Sequence, residues 1–129
     1  MIVGIGLDLM DIDRWRQAVA RRGERLLARV FTPRERADCA RRADPSPSYA
    51  ARFAAKESLF KALGTGWSEG VSWTDAEVRT GPSGEPRLHV TGAAGERLAA
   101  MSATRVHLSL THSPTTAAAV VILESDPAS

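Results

Sequence analysis

Apolar and polar positions alternate along the chain in a way that predicts an opening strand, a helical first half and a strand-rich second half. Residues 2–6 (Ile-Val-Gly-Ile-Gly) read as a short buried strand, with β-branched residues alternating with glycine. Ile12, Trp15 and Val19 then recur at spacings of three and four, which predicts a helix from about Asp11 to an interruption at Gly23. Leu26, Leu27 and Val30 give a second short helix over residues 24–30. Thr32-Pro33-Arg34-Glu35 is a helix start: Thr32 caps free N–H groups, Pro33 suits the first helical position, and Glu35 completes a capping box. A similar start at Ser46-Pro47 opens a long helix to about Leu63, with Gly64 placed to end it.

Beyond residue 70 the period changes. Residues 71–80 read as a strand, 81–86 as a turn and 87–91 as the hairpin partner. Residues 93–101 suit a short helix, and residues 105–111 and 116–123 two strands around Ser113-Pro114. The last is apolar on both faces, which predicts a central place in its sheet. The expected fold class is α+β, with helices packed on a small, mainly antiparallel sheet. No repeat or linker is visible, so residues 1–124 are expected to form one domain and residues 125–129 a tail.

Composition narrows the class. The 129 residues are 43% hydrophobic and 25% charged with ten Gly and seven Pro, which excludes collagen-like, low-complexity and disordered chains. The longest strongly apolar run, residues 117–123, is far short of the roughly 20 residues a membrane span needs. The opening residues reach Asp8 with no basic leader, so no secretory signal is expected and the simplest address is the cytoplasm. Cys39 is the only cysteine, which excludes an internal disulfide.

Net charge is +2, unevenly spread: residues 14–42 hold ten arginines against Glu24, Glu35 and Asp38, a surplus of seven. Either a polyanionic partner or a solvated arginine-rich face explains this. Familiar sites are missing. Gly4-Ile5-Gly6 begins a dinucleotide fingerprint, but Leu9 stands where the third glycine belongs. No phosphate loop, His-Glu-x-x-His or Gly-x-Ser-x-Gly occurs, and His89, His107 and His112 lack zinc spacing.

The informative stretch is Arg52-Phe-Ala-Ala-Lys-Glu-Ser-Leu-Phe-Lys-Ala-Leu-Gly-Thr-Gly66. Phe53, Leu59, Phe60 and Leu63 share a helical face, and Lys56 falls inside that apolar sector. Glu57 and Lys61 lie one turn apart, either as a surface ion pair or as charges aimed at a ligand. Both of the chain's lysines are here, and a compact ammonium suits a single phosphate oxygen. Asp8 ends an apolar strand, either as a helix N-cap or as a magnesium ligand together with Glu57. His112 closes the apolar face Val106, Leu108, Leu110, either as a hydrogen-bonded core residue or as a contact to phosphate or sugar.

Four blocks in order then resemble one family, the holo-acyl-carrier-protein synthases, the short type of 4′-phosphopantetheinyl transferase. They are Gly4-Ile-Gly-Leu-Asp8, Phe31-Thr-Pro-Arg-Glu35, the Arg52–Lys61 stretch with Gly64-Thr-Gly66, and Ser109-Leu-Thr-His-Ser113 followed by three alanines. The resemblance implies transfer of phosphopantetheine from coenzyme A to a serine of apo acyl carrier protein, releasing adenosine 3′,5′-bisphosphate. By motif position it implies Asp8 and Glu57 as Mg²⁺ ligands and Lys61 as a contact to the diphosphate. Arg52, Gly64, Gly66 and His112 are similar to positions near the nucleotide. Glu57, or a metal-bound water beside it, is the expected acceptor of the serine proton.

The resemblance further implies an acidic carrier protein docked on Arg14, Arg21, Arg25 and Leu26, and a homotrimer with sites between protomers. No nucleic-acid or membrane partner is expected. A carrier domain of a polyketide or peptide synthase would present the same docking chemistry. The non-enzymatic alternative is a basic module for nucleic acid or an acidic protein, but residues 14–42 offer only Trp15 and Phe31 for base stacking. Thr116 and Cys39 depart from the family's usual aromatic residues without removing a metal ligand.

Overall fold

The computed structural model describes residues 1–66 and 70–127. Strand β1 (Ile2–Asp11) is followed by helices α1 (Ile12–Arg22), α2 (Glu24–Val30), α3 (Pro33–Ala40) and α4 (Ser46–Leu63). A 3₁₀ turn (Trp73–Asp75), a hairpin of β2 (Ala76–Thr80) and β3 (Pro86–Val90), helix α5 (Gly92–Ala100), and strands β4 (Ala103–His112) and β5 (Thr116–Ser125) complete the order. One antiparallel sheet runs β1-β5-β4 and a second contains β2 and β3, in agreement with the expected α+β class.

β5 is central, and its alternation shows why it is apolar throughout. Ala117, Ala119, Val121 and Leu123 are buried on one face, while Ala118, Val120 and Ile122 lie half-buried on the other. The buried face meets α4, which is enclosed on nearly all sides: twelve of its eighteen residues are buried. The amphipathic stripe expected for this helix is therefore only part of the picture, since a helix apolar all round belongs in the centre of a domain. Phe53 and Phe60 do act together, because both rings stack on Trp73, at 5.0 and 5.6 Å.

Gly4 and Gly6 explain how closely α4 approaches β1. A Cβ at either position would overlap the carbonyl oxygen of Ala62 or Ser58, so the strand and helix backbones meet where neither side chain exists. The opening strand runs five residues past its expected end, to Asp11.

Local start and stop signals hold elsewhere. Thr32 and Glu35 form the reciprocal capping box, and Gly64 ends α4 in the left-handed region at φ 75°. The expected strand over residues 71–80 begins only at Ala76. Ser72 and Asp75 close their own capping box around the 3₁₀ turn, and Trp73 is drawn onto α4. Asp75 also accepts from Ala94 N (3.2 Å) at the start of α5. β5 extends to Ser125, one residue into the expected tail, whose last two residues lie outside the described ones.

Candidate active site

β1 carries its even-numbered residues toward α4, so Asp8 follows Gly6 onto the helix-facing side, where its side chain is 16% exposed. Lys61, at the last turn of α4, donates to Asp8 Oδ1 (3.0 Å) and to Leu7 O (2.9 Å). Its hydrogen bonds therefore go to β1 and not to Glu57, which replaces the surface ion pair as an account of this lysine. Nor is Asp8 a helix cap; Asp11 fills that place, accepting from Arg14 N (3.0 Å). Gly64 donates to Lys61 O (3.1 Å) and Gly66 takes a positive φ of 52°, turning the chain away directly after the lysine.

Glu57 is half-buried one turn before Lys61. Burial first, and the neighbouring Asp8 charge second, push its carboxyl above the usual carboxylate range, while Lys61 opposes the shift. Asp8 thus lies near enough to act on the Glu57 carboxyl, and a single ammonium, hydrogen-bonded to Asp8, serves the two carboxylates. That donor set fits a hard divalent cation, which takes one or two carboxylates and completes its shell with water and phosphate oxygens. Among the described residues no group of three or more His, Cys, Asp or Glu is gathered in a metal-holding arrangement, so a cation here would depend on such additional oxygens.

A second feature is a cavity of about 480 Å³ between α4, the β2–β3 hairpin and the end of β4, lined by Arg42, Arg52, Thr80, Gly84, Pro86 and His112 among others. Arg52 is buried, donates to Val78 O (3.3 Å) and lies 3.7 Å from Asp38 Oδ2. His112 is exposed at this cavity, which removes the core-histidine alternative. Arg42, Thr80, Gly84 and Pro86 escaped the sequence reading; the proline- and glycine-rich turn was visible, but not the cavity it closes. Arg52 and Glu57, five residues apart, point about 140° apart around α4. The carboxylates and the cavity accordingly face different sides of the chain.

On the helical side, Arg21, Arg25 and Leu26 line a shallow groove with Arg22 and Arg29. Arg14 is exposed on α1, seven residues before Arg21 and so on the same stripe, although it does not line the groove. The outward face of β1 presents Ile5, Leu7 and Leu9, 61%, 61% and 66% exposed. No helix among the described residues is long and apolar enough to cross a membrane.

The chain is similar to known proteins over nearly its whole length. Residues 4–120 match the 4′-phosphopantetheinyl transferase superfamily. A holo-[acyl-carrier-protein] synthase of Methylobacterium sp. (strain 4-46) is 55% identical over 129 residues, covering 97% of this chain and 96% of the relative. The crystal structure of holo-[acyl-carrier-protein] synthase from Neisseria meningitidis superposes with a TM-score of 0.89 at 31% identity, covering 97% of this chain and 100% of that one. A Bacillus anthracis holo-(acyl-carrier-protein) synthase in complex with CoA (3′,5′-ADP) superposes at 0.81 with 35% identity, covering 98% and 99%. A matched length this complete, on a fold this similar, makes the chain a member of the 4′-phosphopantetheinyl transferase superfamily, of the holo-acyl-carrier-protein synthase type.

Proposed function

We propose that this protein transfers 4′-phosphopantetheine from coenzyme A to a serine of apo acyl carrier protein, with Mg²⁺ held by Asp8 and Glu57. The transfer follows from membership of the holo-acyl-carrier-protein synthases. The observation that carries the site is the meeting of Asp8, Glu57 and Lys61 where Gly4 and Gly6 let α4 press on β1.

The serine oxygen attacks the phosphorus that bears pantetheine, and the bond from that phosphorus to the nucleotide's bridging oxygen breaks. The products are the carrier's phosphodiester and adenosine 3′,5′-bisphosphate. Such a transfer calls mainly for alignment and neutralisation of charge. Bound Mg²⁺ supplies Lewis-acid neutralisation of the diphosphate. Lys61, half-exposed and fixed by Asp8, turns its remaining donor to a phosphate oxygen. Glu57, half-buried one turn before Lys61, accepts the serine proton as the oxygen attacks.

Arg52 and His112 suit the nucleotide's phosphates from the cavity, and Gly64 and Gly66 leave backbone open to the donor beside Lys61. Arg14, Arg21 and Arg25, with Leu26 as an apolar neighbour, form the docking face for an acidic carrier. Because the carboxylates and the cavity face apart on α4, a site that uses both is built between copies, and the bare apolar face of β1 is suited to such packing. A cytoplasmic homotrimer, one domain per chain over residues 1–124, is the assembly this reading favours. Glu57→Gln and Asp8→Asn enzymes should lose turnover of coenzyme A at saturating Mg²⁺ while remaining folded. Near-normal turnover in Glu57→Gln would overturn its roles as ligand and base.

A further inference from the structure

Among the described residues strand β2 has a single strand neighbour, β3, and its other edge turns toward α3 and α4. In an antiparallel pair, alternate residues direct both backbone groups away from the partner, and a buried edge left in that state needs other hydrogen-bonding groups. Ala76 and Val78 are the residues so placed, and both are buried.

Charged side chains meet this edge. Lys56 Nζ donates to Ala76 O and to Trp73 O (3.2 Å). Glu35 Oε2 accepts from Val78 N (3.0 Å), and Arg52 donates to Val78 O (3.3 Å). Glu35 Oε1 joins the group by accepting from Lys56 Nζ (2.7 Å) and from Thr32 N (3.1 Å). Glu35 and Lys56 are both fully buried, at 0% exposure. The strand they hold continues into the cavity wall: Val78, Thr80, Gly84 and Pro86 line the space that Arg52 and His112 share.

We infer that Glu35 and Lys56 are positioning residues for the donor nucleotide, standing in for a missing neighbouring strand and fixing the β2–β3 hairpin as the wall of the Arg52–His112 cavity. The inference rests on the proposed reading of that cavity as the nucleotide site. A merely structural pair would lower stability and leave the affinity of folded molecules unchanged. A positioning pair instead weakens nucleotide binding by molecules that are still folded. Replacing either member frees one edge group of β2, lets the hairpin shift against Arg52, and leaves Asp8 and Lys61 in place.

The test is calorimetric titration of adenosine 3′,5′-bisphosphate into wild type, Glu35→Gln, Lys56→Met and Leu27→Ala, at a temperature where each is folded. Leu27 is buried in α2 and does not line the cavity, so Leu27→Ala supplies destabilisation alone. Wild type and Leu27→Ala should bind alike, whereas Glu35→Gln and Lys56→Met should bind at least about tenfold more weakly, since small misplacements of positioning groups are costly. The KM for coenzyme A should rise in the same two variants, with kcat changing much less. If Lys56→Met does not fold, Glu35→Gln alone is set against Leu27→Ala. Faster amide exchange at Val78 in Glu35→Gln gives an independent readout. Affinities in Glu35→Gln and Lys56→Met equal to those of Leu27→Ala would overturn the inference and leave the proposed function standing. No binding by wild type would instead overturn the reading of the cavity, and the inference with it.

Discussion

Lys56 and Lys61 stand five residues apart on one helix, each against a carboxylate, and they are the only lysines in the chain. Lys56 is 0% exposed and places its three donors on Glu35 Oε1, Trp73 O and Ala76 O, so no donor remains for a ligand. Burial pushes its ammonium below the ordinary lysine range, with Glu35 opposing. Lys61 is 52% exposed and commits two donors, to Asp8 and Leu7, leaving the third directed outward. The same residue type is thus wholly committed to the fold in one turn of α4 and, in the proposed function, serves chemistry in another. What separates them is whether a donor and a path to solvent are left over.

The comparison breaks first if Lys61 proves structural. Lys61→Ala should cut kcat about 10²–10³-fold, the usual cost of removing a donor aimed at developing charge, with an unchanged melting temperature. A large fall in melting temperature with preserved turnover would reverse the assignments. Lys56→Met should do the opposite in a urea titration, losing about 3–5 kcal/mol because the Glu35 carboxylate is left buried and unpaired.

Smaller effects sharpen the contrast between the proposed chemical and docking faces. Arg14→Glu should raise the KM for carrier protein about tenfold at low salt, with coenzyme A affinity unchanged and the difference shrinking as salt rises. Equal damage to both substrates would remove Arg14 from the docking face. The smallest change concerns Glu57. Because its carboxyl titrates above the ordinary range when folded, the folded state holds that proton more tightly, and stability is lost as pH rises through the raised value. Glu57→Gln removes this cost. Measured without metal, its melting temperature should exceed wild type at neutral pH, and the gain should vanish once pH falls below the ordinary carboxylate range.

Much of this was legible because its causes are local. The Thr32–Glu35 capping box, Gly64 at the end of α4 and the two-faced apolar run of β5 each depend on neighbours within a few residues. Gly4 and Gly6 alternate with β-branched residues in the opening strand, and the carbonyls of Ala62 and Ser58 occupy the space their side chains would need. The rest depended on partners far along the chain. Lys56 stood out as a charge in an apolar sector, but its acceptor, Glu35, lies 21 residues away and already had a local explanation as a cap. Trp73 read as part of a strand because aromatics favour strands, yet stacking on Phe53 and Phe60 pulls it into a 3₁₀ turn. His112 ends an apolar alternation, and only the fold reveals that the alternation stops at a cavity rim.

The most direct test of the central claim is intact-protein mass spectrometry of apo acyl carrier protein incubated with this enzyme, coenzyme A and Mg²⁺. Parallel samples would contain EDTA or the Asp8→Asn enzyme. The account predicts the gain of one phosphopantetheine per carrier with wild type and Mg²⁺, and no gain in either parallel sample. Full modification by Asp8→Asn, or in EDTA, would contradict the metal site built from Asp8 and Glu57, and no modification by a folded wild type that binds coenzyme A would contradict the transfer itself.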